Sequence, residues 1–245
     1  MKEIRFFAMM RSGQHAVINW LLAQLPEPHT FFNDPLYPTQ AFGAKLSKPD
    51  DLFLIYNIED RFIPAGIEEC KEKIYDHSKE RDGDIINVLI LRDPFNMFAS
   101  RYARETSRKN LATGEKQHEG IASCSWSPLG GWTSQQALEC WKDHAKEVTQ
   151  PSCMNLIINY NMWATSEEYR KQISEFFEVE FNDVAFNEMA IVQGEGSSFD
   201  GTTKKSNSKT LNRYKRYKYD KYFTSLFNKE VNDLAKEIFG WNILQ

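Results

Sequence analysis

Four short apolar runs punctuate the chain, and the first, third and fourth give way to a polar turn and then to helix-like spacing. Ile4 to Met10 is almost continuously apolar, as a strand buried on both faces of a parallel sheet requires. Leu52 to Ile58, Ile85 to Leu91 and Asn155 to Tyr160 repeat the pattern. Between them, Ala16, Val17, Ile18, Trp20, Leu21, Leu22 and Leu25 cover most of a helical circumference, which predicts a deeply packed helix from His15 to Leu25, ended by Pro26 and Pro28. Asp93 followed by Pro94 predicts a helix starting at Pro94, because Asp caps free amides and Pro suits the first helical position. Further helices are predicted over Gln135 to Val148, from the capping pattern Ser166, Glu167, Glu168 to Phe177, and over Tyr222 to Phe239. Glu105 to Trp132 lacks steady periodicity and reads as a long excursion or lid, and Gln193 to Ser208, rich in Gly, Ser, Thr and Lys, as a mobile loop. Strands alternating with helices predict an α/β fold with a central, mostly parallel sheet flanked by helices, in one domain spanning 1–245 without internal repeats.

Composition narrows the function classes. A hydrophobic fraction of 41% supports a substantial core, and 30 basic against 34 acidic residues give a net charge of -4, which argues against a general polyanion binder and predicts no nucleic-acid partner. Any anion site is therefore local. Cys70, Cys124, Cys140 and Cys153 are widely spaced, with no CxxC pair and no His cluster of metal-ligand spacing, so reduced thiols and no metal site are expected. No segment approaches the roughly 20 apolar residues that span a bilayer, and no basic leader precedes the first strand, which together predict a cytoplasmic chain.

The chemistry concentrates at strand-to-helix turns. "RSGQHA", Arg11 to Ala16, joins the first strand to the first helix and places unpaired amides at a helix N-terminus, where the helix dipole favours an anion. Arg11 adds a forked cation, Ser12, Gln14 and His15 add donors, and Gly13 lets the backbone come close. An ordinary strand-to-helix turn with a surface Arg fits this stretch equally well. The segment "RDPFNMFAS" shifts the balance: Arg92 ends a strand and Ser100 lies eight positions later on the following helix, so both can face the crevice where such sheets bind ligands. The competing reading is a local Arg92–Asp93 salt bridge with Asp93 as a simple cap.

On these motifs the chain resembles the sulfotransferases that use 3′-phosphoadenosine 5′-phosphosulfate (PAPS), a family with a three-layer, P-loop NTPase-like fold. In that family a loop after the first strand, often of Lys-Ser-Gly-Thr-Thr type, holds the 5′-phosphosulfate; "RSGQHA" is similar to it, with Arg11 where Lys is common. The family's 3′-phosphate site is an Arg at a strand end and a Ser eight positions on, matching Arg92 and Ser100. "IINYNMWATSEEYRKQISEFF" resembles the strand and helix that would bring Tyr160 beside the adenine, although Asn161 stands where the family usually has an acid. The family's C-terminal segment that folds over the nucleotide is resembled by "SSFDGTTKKSNSKTLNRY", which offers Ser198, Phe199, Gly201 and Arg213.

The resemblance implies sulfuryl transfer from PAPS, with 3′-phosphoadenosine 5′-phosphate (PAP) as product, to a hydroxyl, or less readily an amine, of a carbohydrate or small-molecule acceptor, without a metal. Arg11 and the loop amides would neutralise charge, and His15 would donate a hydrogen bond or a proton. The family's general base is a His or Glu, in its cytosolic branch at the end of the strand preceding the 3′-phosphate strand. In "LFLIYNIED" that points to Glu59, then Asp60, with Asp34 and His29 in reserve; the plainer alternative pairs Glu59 and Asp60 with Arg61. His77, His118 and His144 read as solvated surface residues, Trp126 and Trp132 as candidates for an acceptor pocket, and Trp141 as core. Competing functions are a P-loop kinase-like phosphotransferase, disfavoured by the missing Lys-Ser/Thr pair, and a noncatalytic nucleotide- or glycan-binding relative.

Overall fold

The computed structural model describes residues 2–36, 52–73, 84–107, 133–188 and 207–243. Among these, strands β1 (Lys2–Ala8), β2 (His29–Asn33), β3 (Phe53–Glu59), β4 (Ile85–Leu91) and β5 (Leu156–Asn159) form one sheet in the order β2-β3-β1-β4-β5, with every pairing parallel. The helices are α1 (Gln14–Leu22), α2 (Ala65–Lys73), α3 (Pro94–Ser107), α4 (Ser134–Thr149), α5 (Tyr160–Thr165), α6 (Glu167–Phe176), α7 (Val184–Glu188), α8 (Lys221–Ser225) and α9 (Lys229–Phe239), with a 3-10 helix at Asn207–Arg216.

Alternation along the strands builds the layers, since successive side chains point to opposite faces. Phe6, Ala8, Ile55, Val88, Ile90 and Ile158 pack with α1, α5 and α6 on one face, while Phe7, Leu54, Ile58 and Leu89 pack with Ile67 and Cys70 of α2 on the other. A third cluster joins Met9 and Leu91, at the strand ends, to α3, α4, α8 and α9. The chain is thus an α/β protein whose parallel sheet is sandwiched between helices, as the sequence pattern predicts.

Helices α2, α5 and α7 and the 3-10 helix have no counterpart in the sequence-based expectation, and two further elements differ from it. The stretch after α1, for which the sequence pattern gives no element, contains the edge strand β2, which pairs with β3 from His29 beside Phe53 to Asn33 beside Asn57. The final helix is two helices: Asp220 caps α8 by accepting from the Phe223 amide, and Asn228 starts α9 by accepting from the Val231 amide. The predicted excursion from Glu105 begins inside α3, and its residues 108–132 lie outside the described residues, as do 193–206 of the predicted loop. No helix among the described residues is long and apolar enough to cross a membrane.

Candidate functional site

The order β2-β3-β1-β4-β5 puts the topological switch at β1: the chain leaves β1 towards β2 and β3, then crosses back to β4. Beyond the carboxyl ends of strands at such a switch, helices depart in opposite directions and leave a crevice. The turn after β1 opens into it. There the Ser12 amide donates to the Met9 carbonyl (3.0 Å), Arg11 has φ 71° and Gly13 φ 89°. A Cβ at position 13 would meet Tyr160 Cε2 at 2.2 Å, so both the left-handed backbone and the packed ring demand glycine. No side chain caps α1, whose N-terminus stands at this turn, with the Ala16 amide donating to the Gly13 carbonyl (3.0 Å). Asp60 braces the turn from behind, accepting from the Met10 amide (3.0 Å) and from Arg101 of α3, whose Nε also donates to the Met10 carbonyl (3.0 Å).

On the β4 side, Arg92, Ser100 and Arg213 come together, all buried. Arg92 donates to the Arg11 carbonyl (3.1 Å) and to the Thr210 carbonyl, while Arg213 donates to Ser100 Oγ (3.1 Å). One face of α3 therefore carries the hydroxyl eight positions beyond Arg92, and the 3-10 helix closes over it with a second guanidinium. Tyr160 sits beneath, its ring centroid 4.9 Å from the Arg92 guanidinium carbon. Asp93 caps α3, its carboxylate accepting from the Asn96 amide (2.8 Å), and it also accepts from the Asn96 side chain and from Asn161 Nδ2 (3.0 Å). Burial pushes the Asp93 carboxyl up while neighbouring Arg92 pulls it down. Asn161, in place of an acid, donates to this buried carboxylate where a second carboxylate would repel it.

On the β3 side lies a polar cluster. Gln14 Nε2 (2.8 Å) and Asn57 Nδ2 (3.0 Å) both donate to Glu59 Oε1, and Ser12 Oγ donates to Gln14 Oε1 (3.0 Å). Asn33 Oδ1 accepts from Asn57 Nδ2 (2.8 Å) and lies 2.8 Å from His15 Nε2, which is itself 3.7 Å from Glu59 Oε1. Asp34 follows, at φ 44°, with its amide donating to the Asn57 carbonyl (2.7 Å). Arg61 pairs with neither neighbouring carboxylate: it donates to the backbone carbonyls of Glu59 and Asp60 and forms its ion pair with Glu69 (2.9 Å).

Comparison with known proteins agrees with this architecture. No protein-family model matches the chain, and no curated protein matches its sequence. Among solved structures, the mouse sulfotransferase SULT7A1 complexed with PAP superposes over 98% of this chain and 88% of its own, with a TM-score of 0.56 and 12% identity. The chain shares the overall fold of that protein. At this identity the likeness speaks for the sulfotransferase-like, P-loop-like architecture and leaves residue roles to the geometry.

The structure thus brings Arg11, Ser12, Gly13, Gln14, His15 and Ala16 to one turn beside Arg92, Ser100, Arg213 and Tyr160, with Glu59 on the opposite flank. Ser198, Phe199 and Gly201 lie outside the described residues, as do His77, His118, Trp126 and Trp132. His144 is not a surface residue: it is fully buried on α4, its Nε2 donates to the Arg61 carbonyl (2.7 Å), and burial lowers its pKa. Trp141 is core, and its indole donates to the Arg92 carbonyl (3.0 Å). Sequence reasoning missed Asn33, Asn57, Arg101 and Thr210. Asn57 carried a usable signal, a polar residue inside a strand otherwise buried on both faces; Thr210 takes part through its carbonyl, which no side-chain pattern reveals.

Proposed function

We propose that this protein is a PAPS-dependent sulfotransferase that moves a sulfuryl group to a hydroxyl of a carbohydrate or small-molecule acceptor. The observation carrying this reading is the direct link between two anion sites: the carbonyl of Arg11, in a left-handed glycine turn at a helix N-terminus, accepts from the same Arg92 that clusters with Ser100 and Arg213. Two anion sites so joined fit a nucleotide carrying one phosphate group at each end. PAP in the structurally similar mouse enzyme supports the same ligand class.

In this reading the α1 amides and Arg11 hold the 5′-phosphosulfate, and Arg92, Ser100 and Arg213 hold the 3′-phosphate. PAPS supplies the activated sulfuryl group. Sulfuryl transfer, like phosphoryl transfer, needs positioning and charge neutralisation more than covalent help from the protein. Arg11, always charged, stabilises the leaving oxygen without donating its proton. His15 leans towards Asn33 and Glu59, which suits it to orienting the acceptor side of the sulfuryl group. Glu59, engaged by Gln14 and Asn57, holds those loop residues in place.

Titration calorimetry tests the reading. PAP should bind the wild-type protein, and Arg92→Ala and Ser100→Ala should each weaken it, Arg92→Ala by about tenfold or more, since hydrogen bonds to charged groups contribute about 1.5–3 kcal/mol. Unchanged affinity in both variants would sink the assignment.

A further inference from the structure

The sulfuryl-transfer reading leaves one requirement open on the acceptor side, and three carboxylates stand near it. Asp60 is committed to the Met10 amide and to Arg101, and it faces the back of the turn. Glu59 Oε1 already accepts from Gln14 and Asn57. Asp34 differs. It stands just past the carboxyl end of β2, its Oδ1 is buried without a hydrogen-bond partner, and the left-handed backbone at φ 44° turns the chain there. Strands spaced at about 4.8 Å put the end of β2 roughly 10 Å across the sheet from β1 and its anion turn. That offset suits a group facing the acceptor rather than the donor, and Asn33 ties it to His15 at the head of α1.

We propose that Asp34 is the catalytic base, taking the proton of the acceptor hydroxyl as that oxygen attacks sulfur. This rests on the PAPS-dependent reading above. In the step, the acceptor O–S bond forms as the bond between sulfur and the bridging phosphate oxygen breaks. The hydroxyl proton goes to the Asp34 carboxylate, and the electron pair of the broken bond leaves on PAP.

The surroundings of Asp34 suit this task. Burial first, then the negative charge of Glu59, raises its pKa from 3.8 to about 7, with Asp60 adding to the rise; Arg61 and the Glu59 amide pull the other way. His15 faces the same cluster through Asn33. A base with a pKa near neutrality combines an available ionised form with appreciable proton affinity. The same shift makes a stability signature. Between about pH 4 and 7 the unfolded chain loses the Asp34 proton while the folded protein keeps it, so this group's contribution to stability falls with rising pH across that window and is flat above it.

The decisive variant is Asp34→Asn, because Asn tolerates a left-handed backbone and keeps the size of the side chain. The experiment measures PAP affinity, thermal unfolding from pH 4 to 8.5, and PAPS turnover against pH, with 2-naphthol and with water as acceptors; Glu59→Gln runs in parallel. Wild-type turnover should rise through about pH 7. Asp34→Asn should keep PAP affinity within about threefold, lose about 100-fold or more in kcat together with that rise, and gain stability at pH 8 relative to pH 4. Glu59→Gln should keep a rise in turnover with pH, moved to lower pH because the Glu59 charge that helps raise the Asp34 pKa is gone. Turnover or a pH rise preserved in Asp34→Asn overturns the proposal, as does a stability difference that does not change with pH. A wild-type protein that binds PAP yet turns over neither acceptor also overturns it, leaving the nucleotide reading standing; one that does not bind PAP removes that reading and the base with it.

Discussion

Gly13 shows how a single position serves both the fold and the proposed anion site. Its φ of 89° lies where L side chains are strained, and its missing Cβ is replaced by the Tyr160 ring, itself packed under Arg92. Gly13→Ala should therefore cost stability of order 1–3 kcal/mol from backbone strain alone, with further loss from displacing the ring. Denaturant unfolding gives the first effect and PAP titration the second; a variant with wild-type stability would show that the turn accommodates a side chain. The glycine, Arg92 and Ser100 were legible in the sequence because their chemistry is local: a turn, a strand end, and a helix face at fixed spacing. Asp34 was legible only as a reserve, because its raised pKa comes first from burial and then from the charge of Glu59 at the end of β3, neither of which a linear pattern displays. His144 was misread for the same reason, since its burial comes from packing around α4 rather than from its polar neighbours in sequence.

At the scale of elements, continuous apolar runs announced the interior strands β1, β3 and β4, whereas β2 sits at the sheet edge with every residue half-buried, and its Thr and Phe residues between prolines carry a weaker signal. The final helix was read as one piece because Phe223, Phe227 and Val231 continue a four-residue spacing into a single cluster, across the break that Asn228 imposes. The 3-10 helix at Asn207–Arg216 is the element that closes over the proposed 3′-phosphate site. It rests on α3 through Arg213 to Ser100 and through the Asn96 side chain, which donates to the Leu211 carbonyl (3.0 Å) and accepts from the Tyr214 amide (3.2 Å). Arg213→Ala removes the first tie and leaves the second. Hydrogen exchange should then speed up in 207–216 while β1, β3 and β4 stay protected, and PAP affinity should fall by about tenfold, a charge-assisted contact being worth roughly 1.5–3 kcal/mol. Loss of protection across the whole sheet would instead make Arg213 a determinant of the global fold.

For the whole molecule, the parallel sheet with its switch at β1 is shared by proteins that bind many nucleotides, so architecture alone does not choose among donors. The choice rests on where cations lie relative to the turn. A kinase-type loop places Lys and Ser or Thr at the helix start to hold phosphate and magnesium; here Gln14 and His15 occupy that region, and the cations lie instead at Arg11 and across the crevice at Arg92 and Arg213. A ligand bridging those points must carry charge at both ends. A ligand at 100 times its Kd stabilises the folded state by about 2.7 kcal/mol, which for a chain of 245 residues corresponds to a Tm rise of roughly 5–10 °C. PAP at such an excess should produce this rise with or without EDTA. AMP, lacking the 3′-phosphate, should produce little at the same concentration, because Arg92, Ser100 and Arg213 gain no anion. A magnesium-dependent rise with ATP and none with PAP would reverse the assignment, since it would place the bound charge entirely at the turn after β1.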